Sequence, residues 1–238
     1  MDINKYLDEN LPDLSYGRHL LLIDFFNSIK DFQLPPKINV AVVGGGKYQD
    51  EIKVLTQMGF DTTVKVFGIE EEEVFFDLNV VNKLSNKEFF DLIICTQVLE
   101  HIWNHESFFK NLEKISSPKS ILYIDCPKSN KVHMEPIYYS SGFTSSYLIK
   151  NLENNSFKIL KSGELGGEVN YKSIHVTQSW YNKEATLKRY RFNKKGFFYR
   201  IKHLSKLSNL GQFLVLRMNN NRQTEEFMTQ SYVFATKS

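Results

Sequence analysis

Apolar residues in this chain come as short unbroken runs, separated by stretches in which they recur every three or four positions. Runs read as buried strands and spaced stretches as helices packed by one face. The β-branched run Ile38 to Val43 predicts a central strand ended by Gly44-Gly45-Gly46, and Tyr48 to Met58 a helix closed by Gly59. Thr62 to Ile69 and Val74 to Leu78 predict two more strands, with too few residues between them for the crossover helix that parallel neighbours normally need. Leu92 to Cys95 and Ile121 to Ile124 predict strands covered on both faces. Between them Leu99-Glu100-His101 opens a helical pattern carrying Phe108, Phe109, Leu112 and Ile115. A leading helix is predicted over Ser15 to Phe32, stopped by Leu34-Pro35-Pro36. Late in the chain come a helix over Ser145 to Asn154, a strand over Phe157 to Leu160 and a last strand over Ser231 to Ala235.

This order predicts an α/β fold. It is a doubly wound, seven-stranded, Rossmann-like sheet with an antiparallel last strand, an N-terminal helix, and an insertion before the last strand. The expected division is a helical cap over residues 1–37 and one domain over residues 38–238, with the insertion at residues 173–226.

Charge changes the picture at that insertion. Between Lys183 and Arg222 stand eleven Lys or Arg against one acid, Glu184, so the whole-chain totals of 30 basic and 27 acidic residues become 19 and 26 outside it. The basic segment, interleaved with Tyr190, Phe192, Phe197, Phe198 and Tyr199, is therefore a distinct surface on an otherwise acidic chain. It suits a phosphorylated or nucleotide-linked acceptor, an acidic glycan, nucleic acid or a membrane surface; a solvated lid over an aromatic stripe is the alternative. No recognised nucleic-acid module is visible, and no apolar run approaches the length of a membrane span. The first residues lack the basic and apolar regions of a secretory signal, so a cytoplasmic location is expected. Cys95 and Cys126 fall inside predicted core strands, where thiols act as small hydrophobes; neither a disulfide nor a metal site is expected.

Three elements that could bind a ligand converge on the carboxyl ends of successive strands, where open α/β sheets take their ligands. Gly44-Gly45-Gly46 lets a ligand approach bare backbone beside a helix N-terminus; a tight connection with no ligand is the alternative. Glu70 ends the second strand, placed to accept hydrogen bonds from ribose hydroxyls, while Glu71 to Glu73 read as a solvated acidic turn. Asp77 closes VFFDLN, where a carboxylate can meet an adenine amino group and Leu78 can cover the ring. An Asx-type turn is its alternative.

The segment FDLIICTQVLEH, Phe90 to His101, resembles the fourth strand and following turn of the class I S-adenosylmethionine-dependent methyltransferases. In that resemblance Gly44 and Gly46 match the first two glycines of the family's D-x-G-x-G-x-G loop, and Glu70 and Asp77 the ribose-side and adenine-side acids. Thr96, Gln97 and Val98 match the wall beside the methionine. The likeness runs from about Ile38 to Leu160, and the stretch beginning at His133 is similar to the small-molecule and sugar branch. It implies S-adenosylmethionine as cofactor and a small-molecule or sugar-linked acceptor, phosphorylated in one version, methylated at oxygen; a role in surface polysaccharide biosynthesis follows from the branch alone. Two departures stand out: Val42 replaces the family's leading acid, and Tyr48 its third glycine.

Methyl transfer needs a base only where the acceptor loses a proton. His133, just beyond the fifth strand, is the first candidate base, with a surface or substrate-positioning role as its alternative, and His101 the second candidate, with a structural role as its alternative. His105 and His175 are weaker candidates, and Tyr16 and Arg18 resemble residues that close over the cofactor in some relatives. A nicotinamide dehydrogenase is disfavoured because Gln49 stands where a G-x-G-x-x-G loop starting at Gly44 needs its third glycine. A non-catalytic partner protein that kept the fold is the competing reading from another class.

Overall fold

β1 (Lys37–Val43) lies inside the sheet, because two later strands pair with it, one on each edge. A computed structural model describes residues 2–11, 14–69, 74–83, 88–131, 133–167, 171 and 228–238. After β1 come α3 (Asp50–Gln57), β2 (Asp61–Gly68), β3 (Val74–Phe75), β4 (Leu92–Thr96), α4 (His105–Ile115), β5 (Ile121–Pro127), α5 (Ser145–Asn154), β6 (Phe157–Gly166) and β7 (Met228–Lys237); α1 (Ile3–Asn10) and α2 (Tyr16–Asp31) precede it. The seven strands run in the order β3-β2-β1-β4-β5-β7-β6. The order reverses between β1 and β4. β7 lies antiparallel to β5, with Tyr123 opposite Phe234, while β1 pairs in parallel with β2 and β4.

Two compact units divide the chain: Met1–Ile23 with Leu165–Thr229, and Asp24–Glu164 with Gln230–Ser238. The second holds most of the sheet. Side chains alternate across each strand, and Ala41, Val43, Ile93, Cys95, Leu122 and Ile124 share one core with Phe108 and Leu112 of α4 and Leu148 of α5. The other face receives α2, whose Phe25 packs on Tyr123 with ring centroids 4.9 Å apart. Leu92 to Cys95 are all buried, as a doubly covered strand requires, and each such side chain contributes about 1.5–3 kcal/mol. Cys95 and Cys126 are buried free thiols, and burial pushes both well above the usual thiol range.

Several elements differ from the sequence reading. α1 has no counterpart among the predicted elements; it forms because Asp2 caps it, accepting from the amides of Asn4 and Lys5, with Ile3 and Leu7 buried on one face. β3 is two residues long, shorter than the predicted Val74 to Leu78, and pairs in parallel with β2 through Phe67↔Val74 and Gly68↔Phe75. Leu99–His101 is a separate 3-10 turn, not the first turn of the long helix. Ile102 is extended there, and Asn104 starts α4 afresh by accepting from the Ser107 amide. β6 and β7 run longer than their apolar centres. Among the described residues no helix is long and apolar enough to cross a membrane.

Candidate active site

The bend after β1 forms because Gly44 takes φ +71°, a left-handed conformation open to glycine. A side chain there would also collide with Val98, whose two methyl carbons stand 2.8 Å from where a Cβ would be. Gly44 donates its amide to Phe67 O at 2.8 Å. Beyond it the bend is open, since a Cβ on Gly46 would meet nothing within 4 Å. Gln49 folds back over Gly45, with its Oε1 2.2 Å from that glycine's Cβ position, and its Nε2 is buried without a hydrogen-bond partner. A buried donor left unmatched among the described residues can take its acceptor from a bound ligand or a water. Val42 is fully buried between β2 and β4, and Tyr48 stands 78 % exposed.

The second edge of the site is the turn after β3. Asp77 accepts from the Asn79 amide at 2.9 Å, an Asx turn, and Leu78 is buried in the core shared with α4. Asn79 Oδ1 in turn accepts from the amides of Trp103 and Asn104, which ties this turn to the segment after β4. Glu70 lies outside the described residues, as do His175 and the basic segment.

At the end of β4, Thr96 lies in register with Asp125 of β5, and Gln97 adopts φ +55°, costly for a residue with a side chain. That conformation lets the Gln97 amide donate to Asp125 O at 3.0 Å while its Nε2 donates to Asp125 Oδ1 at 2.7 Å and to Gln230 Oε1 at 3.2 Å. Gln97 is thus held on the buried Asp125 carboxylate.

His101 and His133 meet next to this point. Their rings stand edge to face, 5.0 Å apart, and Tyr138 packs against both, at 6.0 Å from His101 and 4.7 Å from His133. His101 Nδ1 donates to Ile137 O at 2.7 Å, and His133 Nδ1 to Lys131 O at 2.9 Å. A carbonyl oxygen can only accept, so each Nδ1 carries the proton and each Nε2 the lone pair. The loop after β5 is further pinned by the Tyr139 amide, which donates to Glu100 O at 2.9 Å. Burial holds the His101 imidazole below the usual histidine range, and His133 pushes the same way.

Glu100 completes the group, and sequence reasoning missed it. Its side chain is 1 % exposed, and among the described residues neither carboxylate oxygen accepts from another residue's side chain or amide. His101 Nε2 lies 3.8 Å from its Oε1, too far for a hydrogen bond. Burial, with Asp125 nearby, pushes the Glu100 carboxyl up to about 7. The signal was present in the sequence: Glu100 adjoins His101, and His133 follows the neighbouring strand. His105 belongs elsewhere, between Ile102 O and the Tyr147 hydroxyl.

No protein-family model matches the chain. It is 27% identical over 123 residues to a ubiquinone biosynthesis O-methyltransferase of Rickettsia bellii, a match covering 51% of this chain and 50% of that protein; the chain spans about half the length of the curated relatives it matches. Among solved structures, a protein of Galdieria sulphuraria assigned as a sarcosine dimethylglycine methyltransferase aligns with TM-score 0.55 and 10% identity, over 92% of this chain and 86% of that one. A Bacillus halodurans protein assigned as a methyltransferase aligns with TM-score 0.53 and 12% identity, over 90% and 98%. The architecture is the Rossmann-like fold of methyltransferases, with its last strand antiparallel. The chain thus shares the fold of methyltransferases, and about half of its sequence is similar to that of an O-methyltransferase.

Proposed function

We propose that this protein transfers the methyl group of S-adenosylmethionine to a hydroxyl of a small acceptor. The observation that carries the reading is the pairing, at the carboxyl edge of one sheet, of an open glycine bend bearing an unmatched buried donor with two imidazoles whose Nε2 lone pairs are free. When bound, S-adenosylmethionine supplies an electrophilic methyl group on a sulfonium. Gly44, Gly45 and Gly46 would hold it through backbone, Gln49 Nε2 through its free N–H, Glu70 at the ribose and Asp77 with Leu78 on the adenine side. Thr96 and Gln97 form the wall toward the acceptor. His133 Nε2 takes the hydroxyl proton as the oxygen–carbon bond forms and the sulfur–carbon bond breaks, with His101 as its neighbour. The O-methyltransferase relative supports oxygen as the atom methylated.

The finer reading is a sugar-linked acceptor, phosphorylated in one version, of the kind used in surface polysaccharide synthesis in the cytoplasm. Calorimetric titration with S-adenosylmethionine, S-adenosylhomocysteine and NAD tests the reading. Binding of the first two, abolished by Glu70→Ala, followed by methyl transfer to one member of a panel of phenols, catechols and sugar phosphates, is expected. Binding of NAD alone would overturn it, and cofactor binding without transfer to any acceptor would favour the non-catalytic alternative.

A further inference from the structure

Glu100, His101 and His133 each bring one potential ligand atom to within 4.8 Å of the others. We propose that these three side chains form a binding site for a divalent transition-metal cation, the histidines ligating through Nε2 and Glu100 through its carboxylate.

Three independent features support the site. Both imidazoles spend Nδ1–H on backbone carbonyls, Ile137 O and Lys131 O, which fixes the tautomer and ring orientation as metal-binding histidines require. Glu100 is a carboxylate buried to 1 % exposure; among the described residues its oxygens find no donor in another residue and no Lys or Arg forms an ion pair with it. A buried charge in that condition is expensive, and a cation between it and two lone pairs would satisfy all three groups at once. Third, the ligands stand on a braced frame. The 3-10 turn carrying Glu100 and His101 is bound to the loop after β5 through Tyr139 N and Ile137 O, so the site needs little reorganisation to close on an ion.

Two imidazoles and one carboxylate suit Zn²⁺, Co²⁺, Mn²⁺ or Fe²⁺ better than the all-oxygen preferences of Mg²⁺ or Ca²⁺. Three protein ligands leave coordination positions open, as in catalytic and not structural sites. A ligating His133 Nε2 cannot also take a proton. In the loaded protein the cation would acidify an acceptor hydroxyl, and His133 would act as base only in the metal-free form. The site itself stands on the side-chain geometry and does not need the methyl-transfer reading.

The test is a titration of chelator-treated full-length protein with Co²⁺ at pH 7.5, followed by visible d–d absorption. One equivalent is expected to bind and to be displaced by Zn²⁺. Glu100→Gln, His101→Ala and His133→Ala, each checked for fold by circular dichroism, should weaken Co²⁺ binding tenfold or more. A second readout uses the wild type alone: Co²⁺ should raise the unfolding temperature, and chelator should reverse the rise. Absence of binding and of that rise, or binding unchanged in all folded variants, would overturn the proposal. Cofactor affinity, measured separately on the chelator-treated protein, tests the methyltransferase reading, so either idea can fail alone.

Discussion

Gly44 lies against Val98 so closely that a single added carbon on the glycine would sit 2.8 Å from both methyl carbons of the valine. The bend after β1 is therefore fixed by two things at once: a positive φ and the wall at the end of β4. Gly44→Ala should cost about 1–3 kcal/mol from strain and overlap together, and should weaken S-adenosylhomocysteine binding by tenfold or more. Adding Val98→Ala should recover the overlap but not the strain. A urea-denaturation double-mutant cycle is expected to show favourable coupling between the two substitutions; additive losses would mean that the contact is relieved some other way.

His133 is half-buried, and its Nδ1 is tied to its own loop. His133→Ala should lower kcat about 10²-fold to 10⁴-fold, the usual worth of a positioned base, with S-adenosylhomocysteine affinity within about twofold. Calorimetry and steady-state kinetics on the same preparation separate the two effects. An unchanged kcat would remove His133 from the chemistry.

The strands and helices of the sheet were legible because their apolar spacing is enforced by burial on both faces, as at Leu92 to Cys95 and at Phe108, Phe109 and Leu112. What escaped was set by contacts distant in sequence. The 3-10 turn at Leu99–His101 reads as helix because its apolar spacing continues into α4, and only the capping of α4 by Asn104 breaks it. Glu100 looked like an ordinary polar residue of a helix start. Its burial depends on the loop after β5 folding over it, through the Tyr139 and Ser140 amides that donate to its carbonyl. His101 and His133 were both legible as candidates, but not their contact, because no local pattern sets the distance between loops on adjacent strands.

Phe25 of α2 is wholly buried, with Tyr123 of β5 at 4.9 Å and Phe234 of β7 at 6.2 Å. Phe25→Ala removes a ring from between a helix and two strands that cannot collapse without bending the sheet. It should cost about 3–5 kcal/mol in chemical denaturation, whereas Phe25→Leu, which keeps most of the volume, should cost markedly less. Equal losses for the two would place the effect in α2 itself and not in its packing on the sheet.

His105 supplies the pH dependence. It starts α4, sits edge-on to Phe143 at 4.9 Å, and is held between Ile102 O and the Tyr147 hydroxyl. Burial lowers its affinity for a proton below that of a free histidine, and the bond to Ile102 O only partly offsets this. Below its ordinary value of 6.5 the unfolded chain therefore binds a proton that the folded chain resists. Stability from this group is fully present above that pH and is lost as pH falls through the depressed folded value. His105→Gln keeps a polar partner for Tyr147 and removes the titration. The variant should be less stable than the wild type at pH 8, where the native contacts are intact, and the gap should narrow on acidification to pH 5. Thermal unfolding across that range gives the comparison; parallel curves for the two proteins would show that His105 titrates alike in the folded and unfolded states.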